Sequence, residues 1–255
     1  MGSKKYLDEE TTERTYFGYR EVAASEKASL VRNVFDSVAG RYNLMNDLMS
    51  GGVHRLWKSS LIDQLRPRSD MHLLDVAGGT GDIATRFRAA GGGRATVCDI
   101  NDTMIGVGRD RMIDTNRAAG IDWMVGDAEA LPLPDCSIDV YTIAFGLRNV
   151  THIDAALCEA RRVLRPGGRF LCLEFSHVVD PLLAEVYDQF SFRVLPLLGR
   201  FVARDEEAYR YLAESIRRFM PQEELVNRMY KAGLVGAHYR NLSFGVVAIH
   251  QGWRV

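Results

Sequence analysis

The octet "DVAGGTGD", Asp75 to Asp82, is the first stretch whose residue types and spacing could do chemistry. Gly78, Gly79 and Gly81, with Thr80 among them, follow an apolar run and open a helical one. Glycines let backbone come close to a ligand, and a helix N-terminus favours negative charge. Alone, such a loop is equally a tight turn that holds nothing. Two carboxylates give it company. Asp99 ends the next apolar run, 20 residues after Gly79. There it can accept both hydroxyls of a ribose, or serve as a helix cap or surface acid. Asp127 ends a third run in "GDA", beside Ala128. It can accept from an adenine amino group, or cap a short helix at Ala128. Together the three points describe a nucleoside site better than any one of them.

A fourth run, "TIAFGLRNVT" from Thr142 to Thr151, begins as a buried strand and ends on a cation, Arg148, and an amide, Asn149. Open α/β sheets keep ligands beyond the carboxyl ends of their strands, so these two belong to a candidate reaction site. The plain alternatives are a structural ion pair for Arg148 and a turn or cap for Asn149. No metal is expected: His54 and His177 lack ligand spacing with another His or Cys.

Positioning these residues requires alternating elements. "HLLDV", "RATVCDI", "IDWMV", "SIDVYTIAFGL" and "RFLCLEFS" read as strands. "IATRFRAAG", "TMIGVGRDRMIDTNRAAG" and "HIDAALCEARRVL" read as the helices between them, the last stopped by "RPGG". That alternation predicts a doubly wound, mostly parallel sheet with helices on both faces. "GAHYRNLSFGVVAIHQGWR" reads as a closing antiparallel hairpin joined near Asn241. Glu26 to Leu65 and Asp180 to Lys231 read as mainly helical and are candidate lids. The expected organisation is one catalytic unit: a helical lid over 1–66, an α/β core over 67–178, a lid insertion over 179–232 and closing strands over 233–255.

The chain has 255 residues, enough for a sizeable core, and a net charge of -1, which gives no general attraction to nucleic acid. Its four cysteines are far apart, as in a reduced intracellular protein. No apolar run reaches membrane-span length, and the charged start is unlike a secretory signal.

The set Asp75-x-Ala77-x-Gly79-x-Gly81 misses the dinucleotide fingerprint and resembles motif I of the class I methyltransferases that use S-adenosylmethionine (SAM). "VFDSVAGRYNLMNDLMSGGVHRLWK", "GDAEALPLPD", "FGLRNVT", "LCLEFS" and "YLAESIRRF" narrow this. With them the chain resembles the ubiquinone/menaquinone biosynthesis C-methyltransferases over nearly its whole length. The resemblance implies a Rossmann-like α/β fold with a seven-stranded sheet, and SAM as cofactor at Gly78, Gly79, Thr80, Gly81, Asp99, Asp127 and Ala128. It implies methyl transfer to a ring carbon of a lipophilic polyprenyl quinol, with Arg148 and Tyr42 as catalytic positions and Asn149 and Asn46 toward substrate. Ala144 replaces a serine common among cofactor contacts there, so no polar contact is expected from it. A quinol ring becomes a carbon nucleophile as a hydroxyl loses its proton, and phenols have a pKa of roughly 10. Arg148 stays protonated, so stabilising the developing phenolate suits it better than acting as a base.

The rivals are a small-molecule C- or O-methyltransferase, which a well-placed His such as His152 would favour, and a non-catalytic SAM-fold component of a quinone-synthesis complex. A cytoplasmic location is expected, extended by peripheral contact with the inner membrane face, since the substrate lives in lipid. "FSFRVLPLLGRFV" reads first as the core of a lid, and otherwise as the lining of a groove for the prenyl tail or a contact with that surface. Quinone-biosynthesis proteins and a second copy in a homodimer are the partners left open; nucleic acid is not expected.

Overall fold

A computed structural model of the chain describes residues 13–38, 47, 50–115, 118–178 and 206–255. Tyr42, Asn46 and the 190–202 run lie outside these residues. The first element is a short hairpin, β1 (Arg14–Phe17) with β2 (Arg20–Ala23), in a stretch where the sequence suggests no element. Helices α1 (Ala24–Val38) and α2 (His54–Leu65) follow.

The core then alternates. β3 (Leu73–Val76) leads to α3 (Asp82–Ala89), and β4 (Ala95–Asp99) to α4 (Asp102–Asp114). β5 (Ile121–Val125) and β6 (Ile138–Ala144) come next, then a 3-10 turn at Leu147–Asn149. α5 (Ile153–Val163) runs directly into β7 (Leu164–Phe175). α6 (Glu206–Arg218), α7 (Gln222–Lys231), β8 (Val235–Leu242) and β9 (Val247–Trp253) close the chain.

The seven strands order as β5-β4-β3-β6-β7-β9-β8. β3 to β7 pair in parallel, while β9 runs antiparallel to both β7 and β8. Strand β3 is buried at all four positions, as a central parallel strand covered on both faces must be. One apolar cluster joins the sheet to α2, α3 and α6 through Leu61, Phe87 and Leu212. The other joins it to α5 and α7 through Leu157, Ala160 and Met229.

Three boundaries differ from the sequence reading, the first being β7, which begins at Leu164 and takes in the "RPGG" expected to separate it from α5. The hairpin turns at Ser243–Gly245, beyond Asn241, because β8 continues pairing until Leu242 meets Val247. Helix α4 stops at Asp114, short of the expected Gly120, whose φ of +75° belongs to the turn that starts β5. Strand order reverses at β3, between β4 and β6. The carboxyl ends of these strands therefore face one crevice, where a doubly wound sheet binds its ligand.

Candidate active site

The crevice contains a cavity of about 510 Å³. Its floor is the strand ends: Ala77 and Gly79 after β3, Asp99 at the end of β4, Asp127 and Ala128 after β5, and Phe145, Gly146 and Asn149 after β6. Its wall is α1, through Val31, Arg32 and Phe35. Thus Gly79, Asp99, Asp127, Ala128 and Asn149 come together as the sequence suggests.

Gly78, Thr80 and Gly81 do not line this cavity; they shape the loop. A Cβ on Gly78 would lie 2.8 Å from the Asp75 carbonyl oxygen. Gly81 has φ +74°, and a Cβ there would lie 2.6 Å from the Trp123 ring. Thr80 is buried, and its carbonyl accepts from Arg111 of α4 at 3.1 Å. Gly79 (φ +53°) is the glycine that faces the cavity, where a Cβ would meet little beyond the Met104 methyl at 3.1 Å. Ala77 holds φ +49° without being glycine, a mildly strained conformation at the cavity floor.

The Asp99 carboxylate accepts from the Gly79 N–H at 2.8 Å and the Asn101 N–H at 2.9 Å, and burial raises its pKa. A carboxylate has about four acceptor positions, so these bonds orient it and leave capacity for ribose hydroxyls. Asp127 accepts from the Glu129 N–H at 2.9 Å, closing a turn rather than capping a helix at Ala128. The orienting carboxylate, the open glycine and the apolar Met104 side chain suit an adenosine-containing cofactor.

Sequence reasoning missed three supports. Asn101 caps α4 by accepting from the Met104 N–H at 2.9 Å, and donates to Asp36 of α1 at 2.9 Å. One buried amide thus joins the cavity wall to its floor; its place just before a helix was the available signal. Asp75 lies beneath the glycine loop, almost wholly buried. Thr142 donates to its Oδ1 at 2.8 Å, Oδ2 has no hydrogen-bond partner among the described residues, and burial pushes its pKa up to about 7. Lys58 of α2 pairs with Asp82 at 2.8 Å, tying "HRLWK" to the helix that follows the glycines.

Arg148 does not line the cofactor cavity. Its side chain turns into a second, polar pocket of about 530 Å³ with Lys27, His177, Tyr211 and Ser215. There its Nη1 donates to Glu174 Oε1 at 2.7 Å and to the Phe145 carbonyl at 2.5 Å. The pair is shielded from water, with side-chain exposures of 4% and 0%. The ion-pair alternative for Arg148 is therefore real geometry. Among the described residues the buried Nε has no hydrogen-bond partner, and Arg148 still lines the polar pocket. The two pockets share Val150 and Thr151, so the turn after β6 separates them and borders both.

Three different parts of the chain hold Asn149 to His152. The Asn149 side-chain oxygen accepts from the Tyr211 hydroxyl of α6 at 2.8 Å. The Val150 carbonyl accepts from Lys27 of α1 at 2.9 Å. Glu129 accepts from the Thr151 and His152 N–H groups, both at 2.9 Å. His152 also pairs with Glu129 at 2.5 Å and Glu13 at 3.3 Å, and the hydrogen bond it donates to Glu129 raises its pKa. A histidine whose ring is engaged by two carboxylates is not free to take a substrate proton, which weighs against the rival that needed one.

Comparison with known proteins agrees with this geometry. Residues 21–254 match the ubiE/COQ5 methyltransferase family. The chain is 54% identical over 242 residues to the ubiquinone/menaquinone biosynthesis C-methyltransferase UbiE of Paracoccus denitrificans, covering 94% of this chain and 97% of that one. It is 46% identical to the mitochondrial 2-methoxy-6-polyprenyl-1,4-benzoquinol methylase of Mus musculus, covering 100% of this chain and 89% of that one. Solved SAM-dependent methyltransferases share the fold. One from Thermotoga maritima has a TM-score of 0.60 at 20% identity, covering 87% of this chain and 100% of that one. One from Aquifex aeolicus has a TM-score of 0.58 at 14% identity, covering 84% and 98%. The class I methyltransferase sheet, the glycine loop above Asp75, the Asp99 carboxylate bonded to that loop and the match over nearly the whole length agree, and the chain belongs to the ubiE/COQ5 methyltransferase family.

Proposed function

We propose that the chain transfers a methyl group from SAM to a ring carbon of a polyprenyl quinol, a methoxy-polyprenyl benzoquinol or a demethylmenaquinol. The observation that carries this reading is the turn after β6, which borders the cofactor cavity and presents the buried Arg148 to the adjoining polar pocket. Gly79, Asp99, Asp127 and Ala128 hold the cofactor, which when bound supplies an electrophilic methyl carbon. The chain's own task is to make the ring carbon nucleophilic. Arg148 stabilises the oxyanion that develops as a quinol hydroxyl gives up its proton, and a low-dielectric surrounding strengthens that attraction. Asn149 fixes the turn at the mouth of the cavity. Tyr42 and Asn46 complete the substrate side from the N-terminal lid.

The same reading makes 1–66 and 179–232 lids on the core, divided at the boundaries given above. Contact with a membrane surface fits a lipid-borne substrate. Among the described residues no helix is long and apolar enough to cross a membrane.

The test is methyl transfer from labelled SAM to each reduced quinol, with the oxidised quinones as controls. Label on the ring carbon of a quinol and none on its quinone is the expected result. No product from either quinol, with SAM bound normally, would overturn the substrate. Removing one donor to a developing oxyanion costs about 10²–10³ in kcat, so Arg148→Ala should slow transfer by that order with SAM affinity unchanged.

A further inference from the structure

We propose that Glu174 is the positioning residue of the methyl transfer, holding Arg148 in its working orientation; this rests on the catalytic reading of Arg148. Glu174 lies near the end of β7, beside the strand whose exit carries the arginine, since β6 and β7 pair in parallel up to Ala144 and Leu173. Its side chain has no exposure to solvent. The carboxylate makes three bonds. Oε1 accepts from Arg148 Nη1 at 2.7 Å and from the Phe175 N–H at 2.8 Å. Oε2 accepts from the Arg148 backbone N–H at 3.3 Å.

Glu174 therefore grips Arg148 twice, through the chain and through the guanidinium. The Phe145 carbonyl takes a further bond from Nη1 at 2.5 Å, and the Phe175 ring lies 5.4 Å from the guanidinium carbon. All of these contacts secure one end of the guanidinium. Among the described residues the Nε is buried and has no hydrogen-bond partner, and Arg148 lines the polar pocket. A guanidinium fixed through Nη1, on a residue that lines the polar pocket, keeps one orientation toward a substrate oxygen there. A carboxylate serving only to neutralise a buried cation would have no need to bind its backbone N–H as well.

The experiment is a double-mutant cycle in kcat for quinol methylation, using the full chain, with SAM affinity and thermal unfolding measured alongside. Glu174→Gln keeps the shape and loses the charge; it should lower kcat about tenfold or more while SAM affinity stays within about twofold. Glu174→Asp keeps the charge but withdraws it by one methylene, and should slow turnover with an unchanged melting temperature. Arg148→Ala combined with Glu174→Gln should be no slower than Arg148→Ala alone, because a residue acting through another contributes nothing once that partner is gone. A merely structural glutamate would make the two losses multiply, and that result overturns the proposal. So does a wild-type kcat in Glu174→Gln. If the uncompensated cation prevents Glu174→Gln from folding, Glu174→Asp carries the test, and a wild-type kcat there overturns the proposal. The underlying reading fails separately, through a wild-type chain that methylates no quinol or an Arg148→Ala chain at full rate.

Discussion

Asp75 places an ionisable carboxyl where burial disfavours its charge. Its single described side-chain partner is Thr142, and burial outweighs that bond, so its pKa rises to about 7. The sign for stability follows. Between roughly pH 4, the unfolded value, and about 7, the folded chain binds more protons at this site than the unfolded chain. Stability at this residue is therefore greatest in acid and falls as pH rises through that window, by an amount of order 4 kcal/mol. Asp75→Asn should remove this fall. Denaturant unfolding of both chains from about pH 5 to about pH 8 should show the variant gaining on the wild type as pH rises. A constant difference between them would mean that Asp75 does not titrate in this window. The sequence shows Asp75 as a motif letter; its isolation depends on Thr142 on the neighbouring strand, which no local pattern reveals.

At the scale of elements, the turn after β6 is where α1 and α6 meet the sheet. Tyr211 of α6 donates to Asn149, while its ring stacks on Phe17 of β1 at 4.1 Å. Tyr211→Phe keeps the stack and removes the bond. A neutral hydrogen bond contributes about 0.5–1.5 kcal/mol net, so the variant should fold and lose roughly twofold to tenfold in kcat/KM for the quinol, with SAM affinity intact. Steady-state kinetics with titration of SAM check this, and an unchanged kcat/KM would detach α6 from the turn. Alternation of strands and helices made the parallel core legible, since period and glycine punctuation are local. The β1–β2 hairpin was not legible, because each of its strands has only four residues. Its partners also lie far along the chain: the Tyr19 N–H donates to Glu214 at 3.0 Å. The orientation of Arg148 was hidden for the same reason, Glu174 being 26 residues away on another strand.

At the scale of the whole molecule, the cofactor cavity collects the ends of four adjacent strands and one face of α1. The sequence made the floor readable, because Gly79, Asp99 and Asp127 each follow an apolar run. It left the wall unread, because Arg32 and Phe35 look like ordinary positions of an amphipathic helix. A ligand in this cavity touches loops that all unfold with the sheet, so binding should be linked to global stability. A ligand that binds only the folded state at 100 times its Kd stabilises by about 2.7 kcal/mol. For a chain of this size each kcal/mol moves the melting temperature by about 2–4 °C, which gives a shift of about 5–11 °C with SAM. Asp99→Asn should lose most of that shift. An amide accepts through one oxygen where the carboxylate offers two, and hydrogen bonds to a charged group contribute about 1.5–3 kcal/mol each. Thermal scans of both chains over a series of SAM concentrations make the comparison. A full shift retained in Asp99→Asn would place the ribose elsewhere. A shift absent from the wild type would separate the cavity from the cofactor altogether.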